Sequence, residues 1–358
     1  MKKIFISTGG TGGHIFPIIS IAEYLKKKDL EIIIFTDHRA KKFLVNNSDH
    51  NINYINITTP TGKTGFKFIY SVFRIGCLFI YFLFYIFFQK PDLIIGSGGY
   101  VSFPILLAAK ILKKKFIIYE TNSIIGRVNK FFINSSKICL TGFDKINIKN
   151  NNIKFVGQLI RNQIINLNQQ IIENKKNNNE FNLLIIGGSQ GAAVFNNLLP
   201  NIINKLLDIH FKINVFHQVG KKEEIDNVRK NYKHLENIKI FDFEPNIEKY
   251  IKLSDLVITR AGSSTLAELV YLQIPFISVP FEKSLDNHQF YNANYFYKKN
   301  VCWLIEQKDL ETTDKLFLLL KNIIANKELL LEKINNLKDL KLLNVNEAFF
   351  TQIHKLLV

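Results

Sequence analysis

Two glycine-rich segments with one shared pattern, one in each half of the chain, constrain the fold more than any other feature. The first, at 9–14, reads GGTGGH, and the second, at 187–191, reads GGSQG. Each follows a short apolar run and precedes a helical pattern. A strand, a glycine turn and a helix N-terminus form a cradle for anions, because glycines admit close approach and the helix dipole favours negative charge. Two such cradles predict two similar α/β domains that share a phosphate-bearing ligand.

The first half of the chain alternates short apolar runs with helical patterns, which is typical of a doubly wound parallel sheet. We predict strands at 3–7, 31–36, 52–57, 92–96, 116–119, 137–141 and 153–156. We predict helices at 17–28, 39–46, 68–88, 103–112 and 124–134. The segment 147–180 is rich in Asn and Lys, and we interpret it as the link between domains.

The second half repeats the alternation. Strands are expected at 181–186, 213–217, 238–241, 256–259, 275–279 and 301–304. Helices are expected at 191–207, 221–230, 245–252 and 264–272, at 286–298, and through the tail 309–358. The pattern predicts two doubly wound domains with a cleft between them, and ligands at the carboxyl ends of the strands near the switch point.

Composition and charge narrow the class of protein. The 358 residues are 47% hydrophobic, enough for two ordinary cores, and the net charge is +17. Such a charge indicates an anionic partner, although a drift of composition toward Lys, Asn and Ile explains it equally well. Three well-separated cysteines, Cys77, Cys139 and Cys302, indicate neither a zinc site nor a disulfide framework. Their odd number and wide separation lead us to expect a reducing compartment. The N-terminus leads directly into a predicted strand, so we expect no signal peptide.

An apolar and aromatic stretch at 68–88 precedes a predicted central strand. From 75 to 88 it carries no charge, while Arg74 interrupts it and basic residues flank it. Three interpretations are open: a helix lying in the membrane interface, a buried core helix, or a spanning helix, which would need about 20 apolar residues. The overall basic charge suits a protein resting on an anionic membrane.

Several polar residues follow predicted strands in the first half. His14 ends the first glycine loop and is a candidate general base, or else a capping residue. A glycine pair, Gly98 and Gly99, would bring the backbone close to a ligand or simply form a tight turn. Glu120 and Asn122 end a strand and could contact sugar hydroxyls, or Asn122 could cap a helix.

The second half carries a hydroxyl-rich helix start. Ser263, Ser264 and Thr265 could bind a diphosphate and Glu268 a ribose, or these residues could serve only as helix caps and a first-turn acid. The dinucleotide fingerprint is incomplete, since Ile15 stands where a third glycine is needed. No GxxxxGK(S/T) phosphate loop, HExxH motif or Asp-x-Asp motif occurs. A nucleotide-diphosphate site without metal or cofactor is therefore favoured.

Five ordered motifs carry a resemblance to a known family. They are GGTGGHIFP at 9–17, GGYVSFP at 98–104, ETNSIIGRVNK at 120–130, GGSQGA at 187–192 and RAGSSTLAEL at 260–269. Together they resemble the MurG family, peripheral membrane N-acetylglucosaminyltransferases of peptidoglycan synthesis. The resemblance spans nearly the whole chain.

The resemblance implies the GT-B fold of two Rossmann-like domains. It implies a hexosyltransferase that moves GlcNAc from UDP-GlcNAc to lipid I, undecaprenyl-diphospho-MurNAc-pentapeptide, and forms lipid II with inversion. We therefore expect an N-terminal acceptor- and membrane-binding domain at 1–160, a UDP-GlcNAc-binding domain at 161–340, and a helix at 341–358 packing back toward the N-terminal domain. It further implies a peripheral enzyme on the cytoplasmic side of the bacterial membrane, docked through 68–88, acting in cell-wall biogenesis, cell shape and division with possible cell-wall synthesis partners.

The resemblance also implies roles for individual residues. His14, or Glu120, is the candidate catalytic base. The acceptor side is given to Gly98, Gly99 and Tyr100. The residues expected to bind UDP-GlcNAc are Thr11, Gly12, Gly13, Asn122, Arg161, Ser189, Phe243, Ser263, Ser264, Thr265, Leu266, Ala267, Glu268 and Gln289.

Two positions depart from the family pattern. Gln158 and Leu159 replace an Asn-Pro pair before Arg161, and His288 replaces the first of two glutamines. A UDP-GlcNAc 2-epimerase-like enzyme of the same fold is the alternative function, since it would need no lipid acceptor and no apolar patch. A basic membrane- or nucleic-acid-binding protein is disfavoured, and we expect no nucleic-acid partner, because aromatic and basic residues are not interleaved.

Overall fold

The chain folds into two compact units, Met1–Arg161 with Leu343–Val358, and Asn162–Leu342. The structure is a computed structural model, and it describes residues 1–44, 51–148, 150–171, 180–188, 190–312, 314–340 and 343–358. Each unit is built around its own parallel sheet.

The first unit contains a seven-stranded parallel sheet in the order β3-β2-β1-β4-β5-β6-β7. Its strands are β1 (Lys2–Ser7), β2 (Leu30–Asp37), β3 (Asn51–Ile55), β4 (Leu93–Gly96), β5 (Phe116–Glu120), β6 (Cys139–Thr141) and β7 (Ile153–Phe155). The four strands β1, β2, β4 and β5 are almost wholly buried, as their continuous apolar runs predict. The seven predicted strands are confirmed, with small shifts at their ends.

Helices cover this first sheet. They are α1 (Gly12–Lys26), α2 (Gly65–Gln89), α3 (Gly99–Ile111), α4 (Arg127–Phe132) and α14 (Val345–Leu357). The C-terminal helix α14 packs here through Phe349, whose ring lies 5.3 Å from that of Tyr119. The predicted helix 39–46 is instead a 3-10 turn over His38–Phe43, and the predicted residues 45–46 fall outside the described part.

The largest shifts in helix starts are those of α1 and α3. α1 begins at Gly12 rather than at 17, and α3 at Gly99 rather than at 103, so that Pro17 and Pro104 lie inside helices. Each proline is the sixth residue of its helix, so it removes a single hydrogen bond to the carbonyl four residues earlier, and the rest of the helix is unaffected. Both helices therefore start directly at the glycine loops.

The second unit contains a six-stranded parallel sheet in the order β10-β9-β8-β11-β12-β13. Its strands are β8 (Phe181–Ile186), β9 (Ile213–Gln218), β10 (Ile238–Phe241), β11 (Leu256–Thr259), β12 (Phe276–Ser278) and β13 (Trp303–Leu304). Its helices are α5 (Asn162–Ile171), α6 (Ala193–Asp208), α7 (Ile225–Asn231), α8 (Glu248–Leu253), α9 (Ser263–Tyr271), α10 (His288–Lys298), α11 (Gln307–Thr312), α12 (Lys315–Ala325) and α13 (Lys327–Lys338). The second predicted alternation of strand and helix is therefore confirmed.

Candidate active site

The two glycine loops of the first unit meet where the strand order reverses. β1 and β4 are neighbours at the centre of the sheet, and their carboxyl ends lead into the loops around Gly9 and Gly98. A Cβ added to Gly99 would lie 4.0 Å from the Gly9 Cα, so the two loops lie close together. Gly98 and Gly99 have φ values of +81° and +71°, in the left-handed region that favours glycine. This edge of the sheet is the position at which doubly wound folds bind ligands.

His14 lies in the first turn of α1, beside this loop. Its backbone N–H donates to the carbonyl of Thr11 at 2.9 Å, and its ring lies over Gly9. The side chain is half-buried, and Gly12 and Gly13 start the helix next to it. The structure thus brings Thr11, Gly12, Gly13 and His14 together at one helix N-terminus.

The second loop of this edge is held from two sides. The Ser102 hydroxyl bonds to the carbonyl of Ser7 at 3.0 Å and to that of Gly98 at 2.9 Å. The hydroxyl of Tyr100 hydrogen-bonds to that of Thr61. Gly98, Gly99 and Tyr100, the predicted acceptor side, therefore sit at the same edge as His14.

An ion pair that sequence reasoning missed, with a buried carboxylate and an exposed guanidinium, lies beneath the first loop. Asp37 ends β2, next to the end of β1, and is 4% exposed. Its Oδ2 accepts the N–H of Gly10 at 3.0 Å, and the guanidinium of Arg39 binds both carboxylate oxygens, at 2.9 and 2.8 Å. Burial by itself would raise the pKa of Asp37, but the hydrogen bonds and charge of Arg39 and the Gly10 N–H outweigh it and lower the pKa.

Glu120 forms the centre of a hydrogen-bond network at the end of β5. The residue is 3% exposed. Its Oε1 accepts from the backbone and side-chain nitrogens of Asn122, at 2.9 and 3.1 Å. Its Oε2 accepts from the backbone N–H of Gly126 at 2.9 Å and from Asn129 Nδ2 at 2.8 Å. A carboxylate with four donors organises the loop that carries Asn122.

Arg161 ends the first unit and lies against α1. The residue is buried, and its guanidinium lies 5.3 Å from the ring centroid of Phe16, two residues after His14. The segment before it is fixed without the family's Asn-Pro pair. Gln158 Nε2 donates to the carbonyl of Thr121, and the N–H of Leu159 donates to the Tyr119 hydroxyl at 3.0 Å.

The second unit repeats the arrangement at its own switch point. β8 and β11 are neighbours, and their ends lead into the loops 187–192 and 260–263. Gly191 has a φ of +73°, and a Cβ there would overlap the backbone of Val219. Glycine is therefore required at this position. Ser189, a predicted phosphate contact, lies outside the described residues.

The loop after β11 opens directly into α9. The helix begins at Ser263, and its first turn contains no acidic residue. Ser263, Ser264 and Glu268 are buried and Thr265 is half-buried, while Leu266 and Ala267 belong to the same first turns. The predicted cluster is thus assembled at a helix N-terminus that carries partial positive charge.

The amide of Gln289 ties this loop to the end of β12. Its Oε1 accepts the N–H of Ala261 at 3.2 Å and that of Phe281 at 3.0 Å. Asn292 Nδ2 donates to the carbonyl of Ala261 at 3.2 Å. The predicted residue Phe243 follows β10, which is two strands from β8, so it lies farther along the same edge.

Arg260, quoted only as part of a motif, is a second feature that the sequence did not single out. It is buried between the rings of Phe195 and Phe281, at 4.8 and 5.4 Å. It donates to the carbonyls of Val279 and Pro280 and to Gln307 Oε1. Burial lowers the pKa of Arg260 to about 10, which still leaves it charged at neutral pH.

The helix α2 carries an extended apolar surface. Only three of its 25 residues are buried: Ser71, Phe82 and Ile86. Its exposed large apolar side chains are Phe66, Phe68, Ile69, Tyr70, Val72, Phe73, Ile80, Tyr81, Phe84, Phe87 and Phe88. By length and composition α2 could cross a membrane. This exposure rules out the interpretation of 68–88 as a buried core helix.

Comparisons with known proteins show which family has this arrangement of domains. Glycosyltransferase family 28 N-terminal and C-terminal domain models match residues 4–139 and 182–355.

Among the described residues, no group of three or more His, Cys, Asp and Glu side chains could hold a metal ion.

Two curated relatives are both named UDP-N-acetylglucosamine--N-acetylmuramyl-(pentapeptide) pyrophosphoryl-undecaprenol N-acetylglucosamine transferase. The one from Pelagibacter ubique is 36% identical over 346 residues, which cover 94% of each chain. The one from a Wolbachia of Brugia malayi is 35% identical and covers 99% of each. A crystal structure of Acinetobacter baumannii MurG matches with a TM-score of 0.79 at 23% identity, over 99% of this chain and 100% of that one, and shows the same fold. The chain therefore belongs to glycosyltransferase family 28 and, within it, to the MurG family of N-acetylglucosamine transferases.

Proposed function

We propose that this protein transfers GlcNAc from UDP-GlcNAc to the 4-hydroxyl of MurNAc in lipid I and so forms lipid II, with inversion at the anomeric carbon. The observation that carries this proposal is identity to two N-acetylglucosamine transferases over 94% or more of the chain. That span includes both glycine loops. The relatives' names favour transfer over the epimerase alternative. An epimerase would also need no membrane-bound acceptor, so the exposed apolar surface of α2 would have no role in its reaction.

The N-terminal domain, 1–160 in the predicted boundaries, binds the acceptor in this proposal. The N–H groups around Thr11–Gly13 and the loop at Gly98–Tyr100 would face a diphosphate. Support comes from the close approach of Gly9 and Gly99 at the switch point of the sheet. We also assign the C-terminal segment, predicted as 341–358, to this domain; the packing of the Phe349 ring of α14 on that of Tyr119 supports the assignment.

The domain at 161–340 binds UDP-GlcNAc. The start of α9, Ser263–Ala267, would neutralise the donor diphosphate, and Glu268 would accept hydrogen bonds from the ribose hydroxyls. Gln289 uses its Oε1 for two backbone N–H groups, so its Nε2 would donate to a hydroxyl of GlcNAc. The main chain of Phe243 would contact uracil. Asn122, Arg161 and Ser189 complete the donor set carried over from the family. The family pattern also places Thr11–Gly13 beside the donor diphosphate, but this proposal gives that loop to the acceptor.

We assign the catalytic base to His14. Its half-buried ring adjoins the loop, and imidazole is the side-chain group best suited to proton transfer near neutrality. Glu120 already accepts four hydrogen bonds and is almost fully buried, which suits an organising role for it.

The reaction then follows from these assignments. His14 removes the proton from the acceptor hydroxyl, whose oxygen attacks the anomeric carbon as the bond to UDP breaks. The helix N-termini stabilise the charge that develops on the departing diphosphate. Exclusion of water would limit hydrolysis of the donor.

Membrane docking completes the proposal. The apolar face of α2 would enter the interfacial region of the cytoplasmic leaflet, where lipid I presents its headgroup. The net charge of +17 favours anionic lipid. A peripheral position at the inner membrane would also give access to partners in cell-wall synthesis.

The product of the reaction tests this function. The purified chain is incubated with UDP-GlcNAc and a short-chain lipid I analogue in mixed anionic micelles. We expect a β-linked GlcNAc-MurNAc disaccharide, identified by mass spectrometry and by the anomeric coupling constant. Formation of N-acetylmannosamine from UDP-GlcNAc without an acceptor would instead establish the epimerase alternative.

A further inference from the structure

The first glycine loop rests directly on a negative charge. A Cβ at Gly10 would overlap the Asp37 side chain, and the N–H of Gly10 donates to Asp37 Oδ2 at 3.0 Å. The carboxylate therefore fixes the path of the loop. It also consumes one of the loop's N–H donors and puts an anion beneath the place where a diphosphate would bind.

Arg39 balances that charge with a fixed geometry. Its Nε donates to Oδ1 at 2.9 Å and its Nη2 to Oδ2 at 2.8 Å, while the backbone N–H of Arg39 donates to Oδ1 at 2.9 Å. Charge-assisted pairs with two parallel hydrogen bonds are among the strong ones. The side chain of Asp37 is 6% exposed and that of Arg39 is 64% exposed, so water screens the aspartate much less than the arginine.

We propose that Arg39 is a positioning residue for the acceptor: it cancels the charge of the carboxylate that shapes the loop, so that the loop can bind a diphosphate. This inference rests on the proposed function, in which the loop at 9–13 takes the acceptor. Without Arg39 the buried carboxylate would repel the incoming diphosphate. Without either charge the loop would keep its donor to an amide oxygen and would tolerate the ligand.

A double-mutant cycle tests the electrostatic role. Arg39→Gln should raise the acceptor KM on the order of tenfold, an effect that shrinks with added salt, while the UDP-GlcNAc KM stays within about twofold. Asp37→Asn keeps an oxygen for the Gly10 N–H and removes the charge. The double variant should therefore return the acceptor KM to within about threefold of the wild type.

A purely structural role predicts the opposite pattern. In that case the double variant would be at least as impaired as Arg39→Gln, and this result, or an unchanged acceptor KM in Arg39→Gln, overturns the proposal. Arg39→Lys supplies a second arm, because it keeps the charge but loses the two-point geometry, and should retain most acceptor affinity. The matched control is the exposed pair Asp226–Arg229 in the second unit, whose charged atoms lie 3.4 Å apart. Its variants Asp226→Asn and Arg229→Gln should change neither the acceptor KM nor the UDP-GlcNAc KM.

A binding measurement separates this inference from the proposed function. Inorganic pyrophosphate is titrated calorimetrically into the protein saturated with UDP, so that the donor site is occupied. Weaker pyrophosphate binding in Arg39→Gln, restored in the double variant, supports the role of the pair even if no GlcNAc transfer is observed. Equal binding by all four proteins refutes it even if transfer is observed.

Discussion

The two switch points of this molecule share the same backbone arrangement, but a buried side chain of opposite charge holds the loop in each. In the first unit, the loop rests on the buried carboxylate of Asp37, whose charge the exposed Arg39 cancels. In the second unit, the neighbouring loop begins at Arg260, a buried guanidinium that donates to three uncharged acceptors. The carboxylate under the first cradle is directly paired with Arg39, whereas the guanidinium under the second interacts with Glu282 and Glu311 through space and hydrogen-bonds to uncharged groups. We propose from this comparison that the second cradle has the higher intrinsic affinity for a diphosphate.

The first cradle belongs to the unit that also carries α2. A ligand delivered by a membrane is already concentrated at the surface, so its site needs less intrinsic attraction. A soluble nucleotide sugar has no such aid and needs a charged site. The difference therefore matches a lipid acceptor in the first unit and a soluble donor in the second.

The largest expected effect separates chemistry from binding in the first unit. His14→Ala should lower kcat by about 10²-fold or more, because a general base contributes this much, while the UDP-GlcNAc KM stays similar. Steady-state UDP release measures both constants. His234→Ala, which removes an exposed histidine of the second unit, is the matched control. Near-normal turnover in His14→Ala would remove this residue from the base role.

Acidification should lower the stability of the second unit, because a buried histidine there must take up a proton on unfolding. Burial lowers the pKa of His217 in β9 to about 3 from its ordinary 6.5. The unfolded chain therefore binds a proton that the folded chain does not, and stability falls as the pH drops from about 6.5 toward about 3. At pH 5 the loss is on the order of 2 kcal/mol.

Thermal unfolding at pH 7.5 and pH 5 measures this loss. His217→Gln should be less stable at pH 7.5, because the bond of His217 Nδ1 to the Tyr232 hydroxyl at 2.9 Å is disturbed, but should lose less on acidification. An equal loss on acidification in both proteins would exclude His217 as the cause.

The charge of the second cradle gives the next effect. Arg260→Gln should raise the UDP-GlcNAc KM by roughly tenfold and leave the acceptor KM nearly unchanged, since it removes a nearby positive charge. Kinetics with each substrate varied in turn measure the two constants, and Arg229→Gln is the control. A rise confined to the acceptor KM would contradict the comparison, because it would place the acceptor rather than UDP-GlcNAc at the second cradle.

The smallest effects concern α2. Replacing Phe66, Phe73 or Phe84 with Ser should each weaken binding to anionic vesicles by about fivefold, because each partly inserted ring loses about 1 kcal/mol. Cosedimentation with phosphatidylglycerol vesicles gives the affinity, and Tyr297→Ser, an exposed aromatic of the second unit, is the control. Unchanged vesicle binding in a variant that carries all three replacements would show that α2 does not contact the membrane.

The sequence predicted the sheets well because their strands are short, continuous apolar runs. It placed the starts of α1 and α3 too late, since Pro17 and Pro104 resemble first helical residues. These errors are local, because a proline near a helix start interrupts few hydrogen bonds.

The supports of the loops were beyond sequence reasoning. Asp37 reaches Gly10 only because β2 lies beside β1, and Arg260 meets Val279 and Gln307 only once the second sheet has formed. Glu120 was predicted at a sheet edge, but its engagement by four donors depends on the return of the chain at Gly126 and Asn129. Contacts between residues distant in sequence leave no periodic signal.

The central claim, that the two cradles serve two different substrates, is tested most directly by UDP release from UDP-GlcNAc with and without a short-chain lipid I analogue. The account predicts release that depends on the analogue and saturates with it, with only slow hydrolysis in its absence. Release at the same rate without the analogue would contradict the claim, because the first cradle would then have no substrate of its own.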